Sequence, residues 1–176
     1  MSGATQTIDV LVNVDADYLL AHPNDVGGAI AMLVTRSAID SHANISSGEG
    51  EGGNELWFDV KPGDIIRWRA TTLSRNFDRI ALIKNVVIGD PHQGGDYKGT
   101  ISTPQFFNIP GIPVPYLDNG APGGIAKTDV TYTVWQSTAL NPGKLWYQIV
   151  FVLLDRNLNQ IGPTNTWDPY ITVNNQ

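Results

Sequence analysis

The sequence contains no cysteine. Disulfides, thiolate metal ligands and thiol nucleophiles are therefore excluded. Charge is scarce as well: 16% of the 176 residues are Asp, Glu, Lys or Arg, against roughly a quarter in an ordinary globular domain. The 11 basic residues are scattered and are outnumbered by 17 acidic ones, for a net charge of −6. Phosphate backbones and anionic lipid both require grouped Lys and Arg, so neither nucleic acid nor a membrane surface is an expected partner. The longest apolar run is about half of what a membrane span requires. No segment of useful length carries a helical period. Met1–Gln6 has neither the basic nor the apolar region of a secretory leader, and a cytoplasmic product is expected.

What is present is a hydrophobic fraction of 41%, with 18 Gly and 11 Pro. That is enough apolar material for a core, punctuated by elaborate turns, and it suits a β protein of one domain over residues 1–176.

The apolar pattern places the strands. In Thr7–Val14, Ile8, Val10, Val12 and Val14 alternate with more polar neighbours, the period of a strand with one buried face. Tyr18-Leu19-Leu20 reads as a short helical turn ended by His22-Pro23, and 29–35 as an edge strand. The stretch 37–54 is polar and Gly-rich, a loop by composition. Residues 55–60 and 65–73 read as strands joined by Lys61-Pro62-Gly63-Asp64, a type II turn, and hence as a hairpin. Residues 79–88 read as a strand with both faces mostly apolar, apart from Lys84 and Asn85. In 128–137, Val130, Tyr132 and Val134 share one side. Leu145–Leu154 is apolar apart from Gln148 and reads as a strand buried on both faces. Residues 89–124, rich in Gly and Pro, read as a long irregular region of the kind that carries function or forms interfaces. The expected fold is all-β, a two-sheet sandwich of the jelly-roll or immunoglobulin/cupredoxin-like kind, with long irregular loops.

Catalytic signatures are missing. Neither Gly-x-Ser-x-Gly nor His-Glu-x-x-His occurs. His22, His42 and His92 are far apart and each adjoins turn residues. The hairpin is cupredoxin-like, but a copper site of that kind needs a Cys thiolate with two His. Asp15 and Asp17 offer too few oxygens for calcium, which takes six or more. No cofactor and no metal are expected. The stock of 5 Trp and 6 Tyr permits a sugar site, in which rings stack on a pyranose and Asp or Asn holds hydroxyls. Asp96, Tyr97, Tyr116, Asp118, Asn119 and Trp167 are the candidate ligand-binding residues, with Tyr170 a further loop aromatic.

Three segments together carry a family likeness: Ile8–Asp15, Trp57–Trp68 and Trp146–Phe151. With them, and with the Asp168-Pro169-Tyr170 ending, the chain resembles the bacterial inclusion-body protein family, also called AidA/PixA, over nearly its full length. The resemblance implies a small accessory protein made at high cell density under quorum-sensing or stationary-phase control, some relatives forming crystalline cytoplasmic inclusions. It supplies no catalytic residues. The namesake proteins are methionine-rich whereas this chain has 2 Met, which argues against an amino-acid store.

The leading expectation is a non-enzymatic protein that self-associates as a homodimer or larger homo-oligomer, since strands 79–88 and 145–154 carry more apolar surface than a lone sandwich needs. The alternative is a lectin-like, carbohydrate-binding module, its glycan held by the loop aromatics with or without calcium.

Overall fold

The structure is a computed structural model and describes residues 4–38, 50–89, 99–118 and 124–174. Among the described residues, ten strands and one short α-helix follow in the order β1 (Thr7–Val14), α1 (Ala16–Ala21), β2 (Ile30–Val34), β3 (Trp57–Val60), β4 (Ile65–Thr72), β5 (Ile80–Ile88), β6 (Gln105–Leu117), β7 (Ile125–Thr138), β8 (Gly143–Leu154), β9 (Gln160–Trp167) and β10 (Tyr170–Val173). They form two facing sheets, an all-β sandwich. The first runs β2-β1-β4-β7-β6; the second runs β3-β10-β8-β5, with β9 also on β8.

The alternation of β1 does what its period requires: Ile8, Val10, Val12 and Val14 are all buried. From β4, Ile66 and Trp68 join them, and from β8 come Leu145, Tyr147, Ile149, Phe151 and Leu153. These inward side chains are the core between the sheets. Strand β8 is central, hydrogen-bonded to β5 along one edge and to β9 and β10 along the other. Its second face is only half covered, with Val152 alone fully buried there, so the expectation of two buried faces holds for one face and a single position of the other.

Two further expectations are corrected. The segment 57–72 is not a hairpin: β3 pairs in parallel with β10, and β4 in parallel with β1. Lys61–Asp64 is a corner between the sheets. Gly63 takes the left-handed conformation the turn needs (φ 96°). Asp64 closes it, accepting from the backbone N–H groups of Lys61 and Gln6, both at 2.9 Å. The segment 89–124 is not all irregular either, because β6 occupies Gln105–Leu117. Three prolines hid it. They are tolerated because, among the described residues, β6 is an edge strand with β7 as its sole sheet partner.

Helix α1 starts at Asp15, whose carboxylate accepts from the N–H of Tyr18 at 3.0 Å. That, with Asp17 facing Arg79 at 3.8 Å, is what this pair of acidic residues does.

Candidate interaction surface

Strands β6 and β7 form a long antiparallel ribbon whose base belongs to the sandwich. Trp68 of β4 is opposite Trp135 of β7, which is opposite Phe106 of β6. Trp135 is buried and donates its indole N–H to the carbonyl oxygen of Ile83 in the other sheet, at 3.0 Å. Beyond this point the ribbon is largely exposed.

Its two faces differ. Residues directly opposite each other in an antiparallel pair share a face. The pairs Phe107–Val134, Ile109–Tyr132, Ile112–Val130, Val114–Thr128 and Tyr116–Ala126 therefore line one side. Nine of those ten residues are apolar or aromatic. The other side carries Asn108 with Thr133, Pro113 with Asp129 and Pro115 with Lys127, ending in Leu117 with Ile125. There Thr133 donates to Asn108 at 2.7 Å, and Lys127 meets Asp129 at 3.3 Å.

A bulge creates this segregation. The register shifts between Ile109 and Ile112, where Gly111 adopts φ 71°, the left-handed conformation typical of a glycine bulge. Side chains alternate with period two, so without the extra residue Ile112, Val114 and Tyr116 would point to the polar side. With it, all three join Phe107 and Ile109.

The apolar side is the outer one. Trp135 points into the core, so its neighbour Val134 points away from it. The apolar face thus continues the outer face of the first sheet, on which Leu11 is paired with Leu33 and Arg69, and Asp9 with Arg67. In the sandwich the buried side of this sheet is the apolar one; along the ribbon the order is reversed. Phe107, Tyr132 and Tyr116 remain 44%, 50% and 53% exposed.

A second surface feature is a row of rings across the outer face of the other sheet. Tyr170 is paired with Trp57 on one side and Trp146 on the other, with ring centroids 5.8 and 5.4 Å apart. Lys144 Nζ lies 3.5 Å from the Trp57 ring centre and about 5 Å from the other two rings, a cation–π arrangement. Sequence reasoning missed this row: Trp57 and Trp146 sit in strand patterns, and Tyr170 reads both as part of a last strand over 167–173, which β10 matches, and as one of the loop aromatics.

The candidate sugar-binding residues are not gathered into one site. Tyr116 and Asp118 lie at the outer end of the ribbon, where the Asp118 N–H donates to the Gly124 carbonyl at 3.0 Å. Trp167 is in the second sheet, its indole donating to the Asn54 carbonyl at 2.6 Å and its ring packed against Gly27. Asp96, Tyr97 and Asn119 lie outside the described residues, as do His42 and His92. His22 stacks on Tyr18 at 4.3 Å and contacts its carbonyl at the end of α1.

Among the described residues, no group of three or more His, Asp or Glu is placed to hold a metal, and no helix is long and apolar enough to cross a membrane. A shallow depression of about 320 Å³ lies beside the β3–β4 corner, lined by Gln6, Ser37, Asp59, Lys61, Asp64 and Asn174. Both oxygens of Asp64 are engaged by the turn it closes. Two carboxylates elsewhere are held below the ordinary range. Asp25 accepts from the Tyr18 hydroxyl and the Gly28 N–H, and Asp155 from the backbone and side chain of Asn159. The same contact raises Tyr18. These networks close turns.

The sequence matches the inclusion body protein (PixA) family model over residues 6–173. The chain belongs to the PixA inclusion body protein family. The crystal structure of an inclusion body protein from Burkholderia cenocepacia J2315 is similar in fold, with a TM-score of 0.72, 21% identity and 99% of each chain covered. The solution structure of amebosin aligns over 68% of this chain and 89% of its own at 15% identity, with a TM-score of 0.22, too low to indicate a common fold. No curated protein matches the sequence.

Proposed function

We propose that this chain is a non-enzymatic accessory protein of the inclusion body type, which works by associating with itself in the cytoplasm and is made under quorum-sensing or stationary-phase control. One observation carries the reading: one face of the β6–β7 ribbon is apolar along its length, with Val134 buried at its base and Phe107, Tyr132 and Tyr116 about half exposed. An isolated two-stranded ribbon is marginal in water, and an extended apolar patch marks an interaction site. Family membership supports the inclusion-body character. Sedimentation velocity over a dilution series tests it: mass rising with concentration is expected, and a monomer at the highest concentration would overturn it. Transcript level against cell density tests the control.

A second reading, glycan binding, is favoured by the row Trp57, Tyr170 and Trp146, since a line of rings on a sheet face can stack sugar units. A glycan array probed with and without calcium, against a Trp57→Ala/Trp146→Ala variant, tests it. Reproducible signal lost in the variant supports the reading, and no signal refutes it.

A further inference from the structure

Self-association alone does not say which surfaces meet. We infer that two copies clasp one another reciprocally, the apolar face of each β6–β7 ribbon lying over the outer face of the partner's first sheet. This rests on the self-association reading and adds its geometry.

The ribbon's apolar side faces away from its own core, as the opposed directions of Val134 and Trp135 require. Its own sandwich lies behind the other face; Val134 at the base is buried within the chain, while Phe107, Tyr132 and Tyr116 stay about half exposed. A second molecule supplies a cover without rearranging the fold.

The apolar side of the ribbon and the outer face of the β2-β1-β4-β7 region are one surface, because β7 runs through both. When such an elongated surface meets its own copy about a two-fold axis that crosses it near Val134, each ribbon falls on the other copy's sheet. The contact is isologous: the same patch serves both partners.

Residues 106–117 at about 3.3 Å each make a ribbon about 40 Å long, and two strands at about 4.8 Å spacing make it about 10 Å wide. One face is then about 400 Å². Two ribbons packed on each other would bury about that much per partner, half of the roughly 800 Å² of a standard stable interface. In the reciprocal clasp each partner contributes both its ribbon and its receiving sheet, which doubles the figure to about 800 Å².

The receiving face also has an apolar centre. Leu11 and Leu33 are paired there, Leu33 being 43% exposed. Of the charges beside them, Arg67 is matched, its Nε and Nη2 donating to the two oxygens of Asp9 at 3.0 and 2.9 Å; Arg69, opposite Leu11, is exposed, and its long side chain can lay its stem along the contact and keep its charged head in water. Covering a charge is costly when it is unpaired; the pair of Arg67 and Asp9 is neutral as a unit and bidentate. The prolines of β6 remove backbone donors from the ribbon's free edge and disfavour strand addition there, leaving the face as the contact.

The absence of cysteine allows a direct test. Tyr132→Cys and Leu33→Cys are made separately, mixed, and treated with a short bismaleimide, with sedimentation velocity run in parallel. The clasp predicts that the mixed pair crosslinks in preference to either variant alone. Crosslinking of Tyr132→Cys with itself in preference to the mixed pair would overturn it in favour of ribbon-on-ribbon packing. Association without any crosslink at either position would overturn it while leaving self-association standing, and absence of association would remove both. A second variant, Ile112→Lys/Val130→Glu, replaces a facing pair in the middle of the apolar side by opposite charges that support each other across the strands. The clasp predicts at least a tenfold weaker association with the melting midpoint of the sandwich retained. Unchanged association in a folded variant overturns it.

Discussion

The indole N–H of Trp135 is bonded to the carbonyl oxygen of Ile83, 3.0 Å away in the opposite sheet. This contact is at the point where the ribbon leaves the sandwich, and where the β5–β8 ladder shifts register after Ile83. It anchors the base of the projecting element to the core. Trp135→Phe keeps an aromatic ring at the site but removes the donor. A loss of about 1–2 kcal/mol in urea unfolding is expected, together with faster amide exchange at the base of β7. Unchanged stability and exchange would show that the bond is dispensable.

The bulge at Gly111 controls which way the outer half of β6 faces. A methyl group at this position would meet nothing within 4 Å, so Gly111→Ala should suffer only the backbone penalty of a positive φ, about 1–2 kcal/mol, felt locally. Deleting Gly111 has a different consequence. It removes the extra residue and turns Ile112, Val114 and Tyr116 towards the polar side. The expected outcome is weaker self-association by sedimentation with little change in the melting midpoint. Full association in the deletion variant would contradict the assigned role of the bulge.

Asp25 and Asp155 define an acid limb. Both carboxyl groups titrate below their ordinary value of 3.8 because they accept hydrogen bonds when ionised. Their folded values lie below their unfolded ones. The contribution is therefore present above the unfolded value and is lost as pH falls through the folded values. Carboxyl NMR titration should place both midpoints below 3.8. Asp25→Asn and Asp155→Asn should each flatten the fall of stability in acid. Midpoints at or above the ordinary value would show that the turn contacts do not persist in solution.

Tyr147 tests the core. Its ring lies 5.4 Å from that of Trp68, centre to centre, and both are fully buried. Burial pushes the Tyr147 hydroxyl well above the ordinary tyrosine range. Among the described residues, neither this hydroxyl nor the Trp68 indole nitrogen has a partner of normal hydrogen-bond geometry. A buried unsatisfied polar group costs about 1–3 kcal/mol, so Tyr147→Phe should keep or raise the stability. A loss of more than about 1 kcal/mol would reveal a bound water or another partner that satisfies the hydroxyl.

Legibility from sequence followed the physics of each element. Strand β1 could be read because alternation is the direct mark of a half-buried strand, and its limits agree at Thr7 and Val14. The core role of β8 was legible in its apolar run; its partial second face was not, since composition does not say what lies beyond a sheet. The Pro62-Gly63 turn was recognised, but turn chemistry sets the local bend and not which sheet the next strand joins. That choice depends on Ile65–Thr72 pairing with the distant β1. Strand β6 was hidden by Pro110, Pro113 and Pro115, which argue against a central strand and are silent about an edge. One side of the ribbon was visible in Val130, Tyr132 and Val134. The other half needed the bulge, which shifts the phase in the middle of a strand. The row Trp57, Tyr170 and Trp146 depends on cross-strand register, which a single sequence does not print.

The central claim is that a second copy covers the apolar side of the ribbon. Hydrogen–deuterium exchange of the unmodified protein, followed from dilute to concentrated solution, addresses it most directly. The account expects protection to rise with concentration over residues 105–117 and 125–134 and on the outer-face strands β1 and β2, with the second sheet unchanged. Growth in mass by sedimentation with no added protection in the ribbon would contradict it.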